Sequence, residues 1–350
     1  MQRSRPLVQR RLAGWYTYVL LFGTVFAEGD LMKIVIPGGS GQIGALLCRA
    51  FVADGHDVVV LCRNPRAAPW KMVPWDGQVM GEWAAELDGA DVVINLAGRS
   101  VNCRYHAANR AAIMNSRVQS TRAVGRAIAQ ARRPPAVWLQ AGTATIYAHR
   151  YNVPNDEATG ILGSSEPDVP NQWKFSIDVA QAWEQAAQEA GSRDTRLVIL
   201  RSAMTMSPDP GGIFDVMSKL VRRGLGGTAG DGRQYVSWIH EQDFIAAVYW
   251  LIHHPQIAGA VNVAAPNPLP NAEFMRILRQ AWGVRIGPPA PAWLLEIGAF
   301  FMNTETELLL KSRRVVPGRL LESGFAFSFP DWPQAAEDLC RRWRENKRLV

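Results

Sequence analysis

Apolar residues follow two rhythms along the N-terminal part of this chain. Short β-branched runs at 33–37, 57–61, 91–98, 136–141 and 196–201 read as strands buried on both faces, where apolar residues need not alternate with polar ones. Between them, stretches from Gln42, over 105–132 and over 172–190 carry apolar residues on one helical face. Pro134 and Pro135 stop the second of these helices, and Gly191 ends the third. A weaker run at 70–75 reads as a strand or hairpin closed by Asp76-Gly77, followed by a short helix at 83–87. Strands alternating with helices predict a parallel sheet with right-handed crossovers.

The texture changes beyond Pro208. Proline and glycine cluster at 208–212, 224–232 and 266–270. Residues 238–254 read as a helix entered from a strand, and 260–263 as a last strand. Residues 271–350 read as helices broken at Pro288-Pro289, Pro317-Gly318 and Pro330. The predicted fold class is α/β. A doubly wound parallel-sheet domain spans 32–205, and a smaller, mainly helical C-terminal domain spans 206–350, with 238–264 returning to the sheet.

The first strand runs into Gly38-Gly-Ser-Gly-Gln-Ile-Gly44, with Gly38, Gly41 and Gly44 at three-residue spacing. A glycine turn between strand and helix lets backbone N–H groups approach a pyrophosphate, and the helix N-terminus favours its charge. The last glycine lets helix pack on strand. Gly38, Ser40, Gly41, Gln42, Ile43 and Gly44 are therefore candidate dinucleotide contacts. Leu96, Ala97 and Gly98 join them, because small residues at a strand end suit a close ligand. Strand two ends Val60-Leu61-Cys62-Arg63-Asn64, without the acid that would hold a free ribose hydroxyl. Arg63, with Arg66 nearby, suits a 2′-phosphate, so NADP is expected over NAD.

The 350 residues suffice for one large domain or two modest ones. A net charge of +7 raises the question of nucleic acid. The termini carry most of it: Arg3, Arg5, Arg10 and Arg11 lie in residues 1–31, and five cations face Glu345 in residues 341–350. The body is near neutral, so no nucleic-acid partner is expected. Cys48, Cys62, Cys103 and Cys340 form no CxxC or metal-like grouping, which fits a reduced, cytoplasmic protein without a metal. Residues 1–31 pair a basic stretch with an apolar run from Leu12 to Ala27. They resemble a signal peptide but are short for a membrane span. Met32 directly precedes the first strand, so an upstream extension or misplaced start is the preferred reading.

These pieces accumulate into a resemblance. Gly38–Gly44, Asn95-Leu-Ala-Gly98, Ser116-Arg-Val118 with Ser120-Thr121, Leu200-Arg201, Gly230-Asp-Gly-Arg-Gln234, Ser237-Trp-Ile-His240, Ala265-Pro-Asn-Pro268, Asn271-Ala-Glu-Phe274 and Arg314-Val-Val-Pro317 appear in order. The chain resembles the short-chain dehydrogenase/reductase (SDR) superfamily, most closely its atypical "epimerase family" subgroup with a C-terminal domain of unknown function. The resemblance covers roughly residues 32–340. It implies a Rossmann domain, a cleft facing a C-terminal substrate domain, a small-molecule substrate of unknown identity and, by analogy alone, a homodimer.

In that superfamily a tyrosine is the acid/base, a lysine four residues later lowers its pKa, and a serine or threonine polarises the substrate oxygen. Carried over, the hydroxyl position falls on Thr143, the tyrosine on Ser176, the lysine on Ala180 and the usual asparagine on Arg117. Thr143 is therefore the one retained catalytic candidate. Arg117 and Arg201, with Arg104, are candidates for a phosphate or an anionic substrate. Cys103, Tyr105 and His106, and the loop His149-Arg150-Tyr151, could line the cleft. Tyr147 reads as a packing residue and Asp243 as a helix-start residue. Two functions stay open: an NADP-dependent oxidoreductase or epimerase with an unconventional acid/base, or a non-catalytic cofactor binder whose occupancy controls docking to a partner.

Overall fold

Seven strands form one parallel sheet in the computed structural model of the chain, which describes residues 31–163, 171–291, 293–296 and 305–348. The leader-like reading of residues 1–31 falls, except for Leu31, outside the described residues. In chain order the elements are β1 (Lys33–Pro37), α1 (Gln42–Ala53), β2 (Asp57–Cys62), β3 (Lys71–Pro74), β4 (Val92–Asn95), α2 (Ala107–Gln130), β5 (Val137–Thr143), α3 (Asn171–Glu189) and β6 (Arg196–Ser202). There follow β7 (Met204–Met206), α4 (Ile213–Arg222), β8 (Tyr235–Val236), β9 (Trp238–His240), α5 (Glu241–His253), β10 (Gly259–Val263), β11 (Leu269–Pro270), α6 (Asn271–Trp282), α7 (Glu307–Leu310), α8 (Gly318–Glu322) and α9 (Trp332–Arg348).

The sheet order is β10-β6-β5-β4-β1-β2-β3. Strand order reverses between β1 and β4, which opens a crevice at their C-terminal ends. The run at 70–75 forms β3, a parallel edge strand with Lys71 opposite Val59, and not a hairpin. Alternate strand residues serve opposite faces. Ile34, Ile36, Val58, Val60 and Ile94 pack with Leu47 and Phe51 of α1 and with Phe244 and Val248 of α5. Val35, Val59, Leu61, Val93 and Trp138 pack with Ala123, Val124 and Ile128 of α2 and Ala187 of α3. Helices on both faces account for the continuous apolar strands, and each such buried side chain contributes about 1.5–3 kcal/mol.

A second apolar core joins α4, α6 and α9. Trp332 stacks on Phe274 with centroids 4.0 Å apart, meets Trp238 at 4.9 Å, and donates its indole N–H to Phe274 O at 3.0 Å. The seam to the sheet is polar. His240 Nε2 lies 3.2 Å from Asp338, and the Asp243 carboxylate accepts the N–H groups of Ser328 and Phe329, both at 2.8 Å. Asp243 thus anchors a loop, while the His240 side chain caps α5 by accepting the Gln242 N–H.

Residues 311–316 form a strap across this seam. Ser312 Oγ donates to Arg150 O, Arg313 N donates to Tyr235 O, Val315 N donates to Ser237 Oγ, and Val316 N donates to Asn155 O. All four cysteines are buried and unbridged, and burial pushes the Cys48 and Cys340 thiols up to about 12. Among the described residues, no helix is long and apolar enough to cross a membrane.

Candidate active site

Backbone contact shapes the turn between β1 and α1. Gly38 has φ +76°, and a Cβ there would sit 2.6 Å from the Ala97 backbone at the end of β4. A Cβ on Gly44 would sit 2.3 Å from Gly39 O, so helix and turn touch. Gly41 differs. Its backbone, φ −76° and ψ 176°, suits any residue, and a Cβ there would meet nothing closer than Gly38 O at 3.8 Å. Gly41 also caps α1 without a side-chain bond, leaving the first-turn N–H groups for an anion. Ser40 and Gly41 are exposed, and Ile43 is half-buried against the sheet core. The Gln42 side chain crosses to Gly212, and its buried Nε2 has no hydrogen-bond partner among the described residues. An open cradle at a helix N-terminus, flanked by an orphaned amide, fits a dinucleotide phosphate.

The end of β4 is held by a buried polar network. Asn95 Nδ2 donates to Gln140 Oε1 at 2.9 Å, and Asn95 Oδ1 accepts the Ala97 N–H at 3.1 Å. This fixes Leu96, Ala97 and Gly98 beside Gly38. The Arg117 guanidinium lies over the Trp183 ring at 4.9 Å and against Gly98, donating to Arg99 O and Ile113 O. Burial lowers its pKa to about 10, so it remains a cation at neutral pH. Arg63 is exposed beyond β2 and borders a depression of about 540 Å³ with Trp75, Asp76 and Trp83.

A second group of side chains gathers beyond the ends of β4 and β5. Thr143 closes β5 opposite Ser202, and its Oγ1 accepts the Thr145 N–H at 3.2 Å. Ser176 of α3 is hydrogen-bonded to Glu307 Oε2 of α7, at 2.5 Å, and stands beside the Tyr105 phenol. Lys311 Nζ donates to Thr145 O at 2.9 Å and lies 4.0 Å from Glu307 Oε1. Arg313 Nε donates to Thr145 Oγ1 at 3.1 Å. Burial raises the Glu307 carboxyl, against the pull of Arg313, the Ser176 hydrogen bond and Lys311. Burial and then the Glu307 charge push Tyr105 up to about 12, and burial lowers Arg313.

Residues 34–264 match the NAD dependent epimerase/dehydratase family, and residues 290–339 match a domain of unknown function, DUF1731. The chain belongs to the NAD dependent epimerase/dehydratase family. It is 30% identical over 313 residues to epimerase family protein SDR39U1 of Bos taurus, a match covering 88% of this chain and 99% of that protein. It is likewise 30% identical over 315 residues to epimerase family protein YfhF of Bacillus subtilis (strain 168), covering 88% and 98%. Among solved structures, human SDR39U1 (isoform 2) with NADPH superposes with a TM-score of 0.77 at 29% identity, covering 89% of this chain and 99% of that one. A nucleoside-diphosphate sugar epimerase from Corynebacterium glutamicum gives 0.69 at 26% identity, covering 97% of this chain and 66% of that one.

Against that family background, several sequence candidates come together and others do not. Gly38, Gly41, Gly44 and the 96–98 backbone share one crevice; Thr143, Tyr105 and Ser176 belong to the polar group beside β5. Ala180, where the resemblance would put the lysine, packs among Ala144, Ile146, Tyr147 and Val315. Arg201 departs from expectation. Its Nε and Nη2 both donate to Glu184 at 2.8 Å, its Nη1 donates to Tyr147 Oη at 2.9 Å, and its side chain is 10% exposed. A buried guanidinium is stable only with a paired carboxylate, and this pairing ties β6 to α3 instead of presenting a charge to a ligand. Tyr147 is buried and donates to Asn262 Oδ1 at 2.9 Å, a packing role. His149 accepts the Ser312 N–H and packs edge-on against Trp173.

Sequence reasoning missed Glu307, Lys311 and Arg313. The Glu307–Lys311 spacing of four looks like an ordinary exposed helix pair, although both side chains are nearly inaccessible. Their partners, Ser176 of α3 for Glu307 and Thr145 for Lys311 and Arg313, lie far away in the chain, so their setting could not be read from local pattern.

Proposed function

We propose that this chain binds NADP(H) in the β1–α1 crevice and passes hydride between it and a carbonyl or carbinol carbon of a small-molecule substrate. The observation that carries the reading is the cradle: Gly41 and the uncapped start of α1, facing open space beside Gly38 and Ala97. The NADPH held by the human relative supports the choice of cofactor. The first-turn N–H groups of α1 would take the pyrophosphate, Arg63 the 2′-phosphate, and the 96–98 backbone would flank the dinucleotide. When bound, the nicotinamide supplies or accepts the hydride. Thr143 and Ser176 would orient the substrate oxygen, and the Arg117 cation would stand beside Gly98.

The apolar surroundings of Ala180 favour a second reading, in which cofactor occupancy controls docking to a partner and no chemistry occurs. A panel of carbonyl compounds and sugar nucleotides followed by NADPH absorbance separates the two. Turnover that is lost in Thr143→Val supports the first reading. NADPH binding with no turnover across the panel, together with a partner retained only with NADPH, overturns it in favour of the second.

A further inference from the structure

The polar group beside β5 holds a carboxyl group in an unusual setting. Glu307 is 3% exposed. One of its oxygens is 2.5 Å from Ser176 Oγ, within the range of an O–H···O hydrogen bond. The other, Oε1, has no hydrogen-bond partner among the described residues; Lys311 Nζ forms a long ion pair with it at 4.0 Å but is beyond hydrogen-bond reach. A buried carboxylate normally gathers donors on both oxygens, because an unsatisfied ionic oxygen in a low-dielectric setting is costly. A neutral carboxyl with its O–H directed at Ser176 needs no such donor. Ser176 is half-buried, occupies the tyrosine position of the resemblance, and stands beside the Tyr105 phenol. Lys311 and Arg313, which hold Thr145 from both sides, lie where they would stabilise a carboxylate once a proton had left.

We propose that Glu307 is the proton store of this site, acting through the Ser176 hydroxyl in place of a tyrosine–lysine pair. The inference rests on the hydride-transfer reading above. In the direction of reduction, the carbonyl carbon gains the hydride of the reduced dinucleotide. The carbonyl oxygen takes the Ser176 proton, and Ser176 Oγ takes the Glu307 proton. The products are an alcohol, the oxidised dinucleotide and a Glu307 carboxylate beside Lys311, which a proton from water restores to the acid. The reverse reaction runs through the same atoms. Glu307 is a positioning residue in this scheme, because Ser176 is the group that meets the substrate.

The test begins with infrared difference spectra of the protein without cofactor, wild type minus Glu307→Gln. A neutral carboxylic-acid carbonyl band at pH 7, absent from the variant and shifted in Ser176→Ala, is the expected result. Its absence from wild type at pH 7 overturns the proposal whether or not NADPH binds. Stability gives an independent reading if a variant folds poorly in bulk. The raised Glu307 carboxyl stays protonated in the folded chain above the unfolded value of 4.5, so stability declines as pH rises from there through the folded value. Glu307→Gln should therefore gain in melting temperature relative to wild type as pH rises; a loss that is constant with pH contradicts a stored proton. With a substrate found, Glu307→Gln should slow reduction by roughly 10²–10⁴-fold while keeping NADPH affinity, and Glu307→Asp should recover part of the rate. Loss of NADPH binding in wild type would instead defeat the proposed function and leave the infrared result standing.

Discussion

The cradle at 38–44 and the polar group around Ser176 lie at the same edge of the sheet but are built by opposite means. The cradle is backbone: seven consecutive residues, with close contacts such as Gly44 to Gly39 and Gly38 to Ala97. The polar group is side chain, assembled from residues 105, 143, 176, 307, 311 and 313, which only the completed fold brings together. A backbone site keeps its ligand chemistry while the surrounding sequence drifts. A side-chain site depends on every residue that the fold brings to it, from elements far apart in the chain. The proposed cofactor cradle and the proposed proton store therefore draw on different residues.

That separation can be broken at several points, the largest effect first. Arg201→Ala strands Glu184 in the interior and should cost about 3–5 kcal/mol in urea unfolding while NADPH affinity holds; a fall in affinity without a loss of stability would return Arg201 to the cofactor site. Gly44→Ala pushes a methyl against the Gly39 backbone, so both stability, by roughly 1–3 kcal/mol, and NADPH binding should suffer. The seam titrates independently of either site. Burial would raise Asp338, but the His240 hydrogen bond and the Arg342 charge bring it down to about 2. Its stabilisation is complete above the unfolded value of 3.8 and is lost as pH falls from there towards 2. Asp338→Asn should remove roughly 1–2 kcal/mol at pH 7 and flatten acid unfolding in that window, as followed by circular dichroism. Arg63→Ala should leave stability alone and weaken NADPH about tenfold relative to NADH.

How legible each region was follows from the same contrast. The strand–glycine–helix run of β1 and α1 is local, so periodicity and glycine spacing expose it. The parallel strands read as continuous apolar runs because helices cover both faces. The edge strand β3 read ambiguously, since Lys71–Pro74 is short and half-exposed and its pairing with Val59–Cys62 is a tertiary fact. Arg201 looked like a phosphate ligand because its partner Glu184 sits seventeen positions away on another element. Glu307 was invisible: nothing in Glu305-Thr-Glu-Leu-Leu-Leu-Lys311 signals burial, and its partner Ser176 lies on α3, far away in the chain.

In the proposed function the β1–α1 turn is an intact NADP(H) cradle, independent of the chemistry beside it. Gly41 tests it most directly, because its backbone tolerates a side chain and the space around it is open. NADPH is titrated into wild type and Gly41→Val and followed by calorimetry, with melting temperature as the folding control. Saturable binding to wild type, tighter than NADH, and its loss in a variant that melts like wild type are expected. Binding to Gly41→Val equal to wild type, or no saturable binding to wild type, would contradict it.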